Sequence, residues 1–355
     1  LISLTRPGAE LVYGNLAKPD AGPWGFVFML AGTGLPVIIF FSALMAVLYH
    51  LGIMQIIIYS VSRVMSWLLG VSGAESMVMA ANIFVGQSEA PLVVRPYIEQ
   101  MTRSELNAMM TGGFATVSGS VLAVYVGFLG PEYGPHLLSA SVMSAPAAFL
   151  IAKLILPETE VARTGKDFSL RIERDAHNVI EAAAVGTGDG LKLYLNVVAM
   201  RIAFMGLVAL VNWPLEHLGD WLEIDGGLSL ARVFGWTLAP LAWLMGVDGW
   251  HDCQRFGSLL GTKVTLNEFV AFTQLGGMLP GSGPDALEHP RTAKMAAYAL
   301  CGFANFASIG VQLGGITPLA PGRSSDLSQL GMRAMLGGAF ASWMTATVAG
   351  VFIEP

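Results

Sequence analysis

The sequence predicts an all-α polytopic membrane protein built from two repeats, each with a re-entrant helical hairpin and a broken transmembrane helix. Three observations carry that prediction. The 355 residues are 54% hydrophobic and 12% charged, with a mean hydropathy of +0.61, whereas an ordinary soluble domain carries about 25% charged residues. Between Asp20 and Arg63 no Asp, Glu, Lys or Arg occurs, a gap that exceeds the ~20 apolar residues needed to cross a bilayer. Finally, two apolar stretches are interrupted by polar residues: "NIFVGQSEAPLVVRPY" at 82–97, and a segment with the tip "DGWHDCQ" that continues into "GTKVTLNEFVAF" at 261–272. Interrupted segments at matching places in two halves of a chain are the mark of a transporter built from repeats.

The elements follow in order. Residues 1–20 mix Arg6, Glu10, Lys18 and Asp20 with Leu11, Val12, Tyr13 and Leu16, the composition of an interfacial helix. The first repeat, 21–156, opens with a span at 25–49 and an amphipathic interfacial helix at 51–70. The first hairpin follows at 74–97, then spans at 104–128 and 136–156, the second ended by Pro157. Residues 157–192 form a polar connection, with twelve charged residues between Glu158 and Lys192. Their mixed signs assign no orientation by the positive-inside rule. The second repeat, 193–355, repeats the order: a span at 193–213, a hairpin at 237–272, and spans at 292–318 and 330–352. A local echo joins the halves, "GFATVSG" at 113–119 against "GFANFAS" at 302–308. The 42 glycines suit close helix packing in lipid.

A net charge of −6 gives no case for a nucleic-acid partner. Cys253 and Cys301 stand in apolar surroundings without metal-ligand spacing and read as small core residues.

A helix that stops inside the bilayer frees backbone groups, each costing several kcal/mol unless it lines a cavity or meets a ligand. Gly86 and Pro91 supply such a break, with Gln87, Ser88 and Glu89 at the tip. The second hairpin places Thr265, Asn267 and Glu268 comparably. A mid-membrane Glu costs about 2.5–3.5 kcal/mol, so two of them beside amides and hydroxyls point to a site for a polar, uncharged, hydrogen-bonding solute. The alternative is a pair of structural ion pairs, Glu89 with Arg95 and Glu268 with Lys263. Asn305 and Ser308 either line the site or join helices. Phe303 is a packing residue unless the solute is planar.

The segments "GQSEAPLVVRPY", "GTKVTLNEFVAF" and "CGFANFASIG" closely resemble the signatures of the concentrative nucleoside transporters, particularly the bacterial sodium-coupled members, in order over nearly the whole chain. Such proteins have eight spanning helices and two re-entrant hairpins. Six spans are counted here, so the first two helices of the family pattern lack counterparts. The resemblance implies sodium-coupled symport of nucleosides such as uridine, in a multi-pass protein of a bacterial cytoplasmic (inner) membrane. It also implies an elevator-like motion within a homotrimer. It gives Gln87, Ser88, Glu89 and Val121 to the nucleobase, with Phe303 beside it. Glu268, Asn305 and Ser308 take the ribose hydroxyls. For Na+ it gives the side-chain oxygens of Asn82 and Thr116 and the carbonyls of Val85 and Val117, the oxygen set that hard cations favour. Ser88 stands where many relatives have Thr, and Thr116 where some have Ser.

Two rivals compete with this reading. One is a proton-coupled transporter in which Glu89 or Glu268 titrates. The other is an intramembrane aspartyl protease, suggested by Gly186-Thr-Gly-Asp189 but lacking a second Asp within a span. No HExxH or GxSxG motif occurs, and the sequence predicts no enzyme.

Overall fold

The computed structural model describes residues 35–162, 176–224 and 227–354, and among these every regular element is helical. The helix expected at 1–20 and the start of the span at 25–49 lie outside them. In the first half, α1 (Leu35–His50) bends by 79° into α2 (Ile53–Leu69). The buried positions of α2, Met54, Ile58, Ser62 and Met65, recur at helical spacing, while Ile56, Trp67 and Leu68 are exposed. That one-sided pattern belongs to a helix lying along an interface.

The first hairpin enters the bundle with α3 (Gly73–Asn82), which is buried along its whole length. It begins with a reciprocal cap in which the Ser72 side chain accepts from the Glu75 N–H and Glu75 accepts from the Ser72 N–H. A 3-10 turn (Ala90–Val94) and α4 (Arg95–Ile98) lead back out. Then come α5 (Arg103–Ala115), α6 (Gly119–Leu129) and α7 (Gly134–Ile155).

The second half repeats this order with α8 (Val179–Trp221), α9 (Leu230–Leu244) and a hairpin of α10 (Trp250–Thr265) and α11 (Glu268–Gly277). The broken pair α12 (Pro290–Leu300) and α13 (Phe306–Ile316) follows, then α14 (Ser324–Phe352). The packing recurs as well. α2 lies on α3 as α9 lies on α10, α3 on α5 as α10 on α12, and α5 on α7 as α12 on α14. The halves are joined where α1 meets α8, where α14 meets α5 and α7, and where α6 meets α11.

Each hairpin base is held by a polar knot. In the first, Lys153 of α7 lies 2.8 Å from the Glu75 carboxylate. In the second, the buried Asp252 carboxylate accepts from the backbone N–H of Glu288 at 2.8 Å and of His289 at 3.1 Å.

Several boundaries differ from the sequence expectation. Residues 104–128 and 292–318 are not single rods. The first is interrupted at Thr116–Ser118 and the second at Cys301–Asn305. Ser118 and Asn305 are extended and act as N-caps for new helices, and Gly302 takes φ +125°, a region that side chains avoid. The polar connection ends earlier than expected, because α8 already begins at Val179, where the Asn178 side chain accepts from the Glu181 N–H at 2.9 Å. At 43 residues α8 is about 64 Å long, twice the ~30 Å hydrocarbon core. Residues 237–244 belong to α9, so the second hairpin proper runs from Trp250 to Gly277. The echo does not mark equivalent geometry: Gly113-Phe-Ala ends α5, whereas Gly302-Phe-Ala lies in the later break.

Among the described residues, three stretches can cross a membrane by length and apolarity, Arg103–Leu129, Pro131–Ile155 and Pro321–Phe352. The bent α1–α2 pair is a fourth candidate.

Candidate functional site

The two broken helices meet at their interruptions. A Cβ on Gly302 would lie 2.8 Å from the carbonyl oxygens of both Phe114 and Ala115, so only glycine lets the second break rest on the end of α5. The hairpin tips close on the same place. Gly315 of α13 faces Ser88 closely: a Cβ there would sit 3.2 Å from the Ser88 Cβ, a contact that Ser88 could meet only by giving way a few tenths of an ångström.

On one side stands Glu268, the first residue of α11 and buried. Its carboxylate accepts from the Asn305 amide at 2.8 Å and from the Tyr125 hydroxyl at 3.3 Å. Asn305 is fixed by a second job: its Oδ1 accepts from the Ser308 N–H at 2.8 Å and so starts α13. Tyr125 is fixed by stacking on Phe272, with ring centroids 3.9 Å apart. A carboxylate has about four acceptor positions, so these two side-chain bonds do not saturate it. Ser308 is buried on the next turn, and Phe303 is half-buried against the surrounding core.

On the other side stand Gln87, Ser88 and Glu89 at the tip of the first hairpin. Gln87 is buried, Ser88 half-buried and Glu89 exposed. The Glu89 carboxylate folds over Gly86, where a Cβ would lie 2.3 Å from its Oε2. Gln312 of α13 connects the two sides. Its amide donates to the Met110 carbonyl at 2.9 Å and reaches the Gln87 Oε1 at 3.4 Å. The Gln312 Oε1 is buried without a hydrogen-bond partner, which leaves an acceptor free for a ligand. Asn305, Ser308 and Gln312 lie at i, i+3 and i+7, on one buried face of an otherwise apolar helix. Val121 is buried in the first turn of α6.

The oxygen set read from the sequence as a cation site lies where α3 and α5 both end. Both atoms of the Asn82 amide are buried and without a hydrogen-bond partner, a costly state unless something binds them. Asn82 touches the last turn of α5, since a Cβ on Gly112 would lie 3.3 Å from its Nδ2. The Thr116 hydroxyl donates to the Gly112 carbonyl at 2.8 Å, which leaves its lone pairs free. The Gly119 N–H donates to the Phe84 carbonyl at 3.1 Å, tying the hairpin tip with Val85 to the break with Val117. Two helix C-termini, each with a partial negative charge, and an unpaired amide suit a small cation. The residues present fit a sodium ion.

The ion-pair alternative fails on both counts. Lys263 does not reach Glu268; its ammonium instead donates to the carbonyls of Ala299 and Cys301 and to Ser342. Among the described residues no ion pair joins Glu89 to Arg95 either. Thr265 and Asn267 serve local backbone, the first donating to the Gly261 carbonyl and the second accepting from the Val270 N–H.

The protease motif has another use. Gly186 and Gly190 of α8 let it press onto α1, where added Cβ atoms would lie 2.6 Å from the Ala46 Cβ and 2.7 Å from the Ile39 Cα. Asp189 is exposed beside Lys192. The cluster of His251, Asp252 and Glu288 is not a metal site, because the His251 Nε2 accepts from Arg255 at 3.0 Å. Its ring proton therefore sits on Nδ1, facing the carboxylates. Sequence reasoning missed Tyr125 and Gln312. The second carried a signal in its spacing from Asn305 and Ser308.

Residues 136–350 match the family described as Na+ dependent nucleoside transporter C-terminus, and residues 33–132 match a second, described as nucleoside recognition. An uncharacterized transporter of Haemophilus influenzae is 45% identical over 353 residues, covering 99% of this chain and 83% of the relative. The sodium/nucleoside cotransporter 1 of Rattus norvegicus is 42% identical across the whole chain, which spans 54% of that protein's length. Among solved structures, CNTnw in an inward-facing substrate-bound state superposes with a TM-score of 0.90 at 42% identity, covering 99% of this chain and 84% of that one. A variant of CNTnw in an outward-facing state gives 0.92, covering 99% and 83%.

Proposed function

Because this chain belongs to the Na+-dependent nucleoside transporter family, we propose that it carries nucleosides by sodium-coupled symport across the cytoplasmic membrane of a bacterium. The observation that carries this reading is the buried polar face of α13. Asn305 at its start holds Glu268 of the second hairpin, and Gln312 two turns on reaches Gln87 of the first. A solute seated there would touch both hairpins at once.

In this reading Gln87, Ser88 and Glu89 take the edge of the base, which an amide suits because it offers donor and acceptor together. Val121 and Phe303 flank the base. Glu268, Asn305 and Ser308 take the ribose hydroxyls, with charge-assisted bonds to the carboxylate. Sodium would lie among the oxygens of Asn82, Val85, Thr116 and Val117, fixing the first hairpin tip against α5 and α6. The ion thereby sets the geometry of Gln87 to Glu89 before the nucleoside completes the site. Both hairpins and both broken helices would then travel as one body against α1 and α8, within a homotrimer. The outward- and inward-facing states recorded for CNTnw support alternating access. The matches are to transporters, and no observation favours proteolysis or proton coupling.

The test is uptake of labelled uridine into proteoliposomes under an inward sodium gradient, with choline replacing sodium in the control. Sodium-dependent uptake, competed by unlabelled nucleosides, is expected. Uptake that follows a pH gradient and ignores sodium would overturn the coupling.

A further inference from the structure

Each hairpin's first helix ends against the last turn of the broken helix that follows it, and the two halves hold different groups at that junction. In the first half α3 ends at Asn82, whose buried amide has no partner. The last turn of α5 lies beside it, and Ser141 of α7 closes the junction by donating to the Ile83 carbonyl at 3.0 Å. In the second half the same three parts recur: the end of α10, the end of α12, and a serine from the last span. There the centre is filled by Lys263. Its ammonium lies 2.9 Å from the Ala299 carbonyl, 3.4 Å from that of Cys301 and 2.8 Å from the Ser342 hydroxyl. The residue is 0% exposed.

An ammonium has three donors, and all three are used. Two of the acceptors are carbonyls left without helical N–H partners because α12 stops at Leu300. The end of such a helix carries about half a negative charge, and freed carbonyls of broken membrane helices are the usual ligands of coupling ions.

We propose that Lys263 is a tethered cation: its ammonium fills, in the second repeat, the place that an ion from solution takes in the first. One exchangeable sodium then accompanies each nucleoside. The half of the site built by Glu268 and Asn305 is held ready at all times, and only the half built by Gln87 to Glu89 waits for the ion. This rests on the reading that the first junction binds sodium.

The experiment compares the purified full chain with two variants, following Tm against the logarithm of sodium concentration at constant ionic strength with choline. A ligand that binds only the folded state stabilises it by a fixed increment per logarithmic unit for each site, so the slope reports the number of sites. Lys263→Met fills the space without charge and should lower Tm while keeping the wild-type slope. Lys263→Ala opens the space, and its slope should double. The sodium dependence of its uptake should steepen from first to second order. A Lys263→Ala slope equal to that of Lys263→Met, or a Lys263→Met protein as stable as wild type, overturns the proposal. If neither variant folds, the coupling ratio of the wild type decides: one sodium per nucleoside is expected, and two overturns it. Absence of any sodium-dependent uptake by the wild type would instead sink the transport reading, leaving the thermal slopes to judge Lys263.

Discussion

Replacing Glu268 by Gln keeps the shape of the side chain and removes its charge. Asn305 cannot turn to meet the new amide, because its Oδ1 is committed to the Ser308 N–H. The Gln oxygen must therefore stay on the Asn305 amide at 2.8 Å, which puts the NH2 group in the place of Oε1 beside the Tyr125 hydroxyl, a donor where the carboxylate would accept from solute hydroxyls. A hydrogen bond to a charged group contributes about 1.5–3 kcal/mol and a neutral one about 0.5–1.5 kcal/mol. With two hydroxyls facing the carboxylate, the variant loses roughly 2–3 kcal/mol of substrate binding. At 1.4 kcal/mol per tenfold that is a fall of about 30- to 150-fold in the ratio of maximal uptake rate to KM. Stability should not fall in parallel, since a buried charge costs desolvation that the neutral amide avoids. The assay is sodium-driven uptake of uridine and 2′-deoxyuridine into proteoliposomes, with Tm of the same preparations. Wild type should prefer uridine, and Glu268→Gln should largely lose that preference. A change under threefold, or an undiminished preference, would refute the ribose assignment.

Three further substitutions probe the rest of the site. Gln312→Leu removes the amide that reaches Gln87 and the Met110 carbonyl, and should raise KM for uridine up to about tenfold, the equivalent of one neutral hydrogen bond, with little change in maximal rate. Gly302→Ala places a methyl 2.8 Å from two carbonyl oxygens at φ +125°; a fall in stability of about 2 kcal/mol or more is expected in thermal or denaturant unfolding. Asn82→Ala removes an unpartnered buried amide, so in choline its Tm should equal or exceed wild type, while the stabilisation by added sodium should shrink.

The hairpin tips were legible because polar residues inside an apolar chain are expensive and therefore conspicuous. Gln87, Ser88, Glu89, Glu268 and Asn305 all announce themselves in that way. The breaks at Thr116–Ser118 and Cys301–Asn305 did not, because neither holds a proline and each interrupts a run long and apolar enough to read as one span. Without the break at Asn305 the phase of α13 is unknown, so the alignment of Gln312 with Asn305 and Ser308 could not be placed on a buried face. Tyr125 reads as packing until its stacking on Phe272 aims the hydroxyl at Glu268. The alternative that paired Lys263 with Glu268 arose for a related reason. Proximity in sequence to Glu268 suggested a pair, but the turn at Leu266 and Asn267 separates α10 from α11, and the ammonium follows α10 to the end of α12.

Where the proposed motion divides the molecule can be argued from how tightly its parts touch. Within the bundle the contacts are backbone against backbone: Gly302 on Phe114 and Ala115, and Gly338 of α14 on Phe114. Close-packed interiors of this kind do not deform continuously, so the hairpins and broken helices must move together or not at all. The contact of α1 with α8 is as close, through Gly186 and Gly190, which makes those two helices a second rigid unit. The contacts that join the units include α8 with α11 and α1 with α6; the second is of another kind, the Phe41 ring lying against Gly119, with no hydrogen bond between α1 and α6 among the described residues. Sliding across it breaks no polar contact and costs mainly apolar repacking. An Arg in place of Phe41, on the α1 side, leaves the contacts named within the moving unit intact and burdens only the boundary. Uridine binding to the purified Phe41→Arg protein should therefore persist while uptake into proteoliposomes is lost, and loss of both together would show that the boundary lies elsewhere.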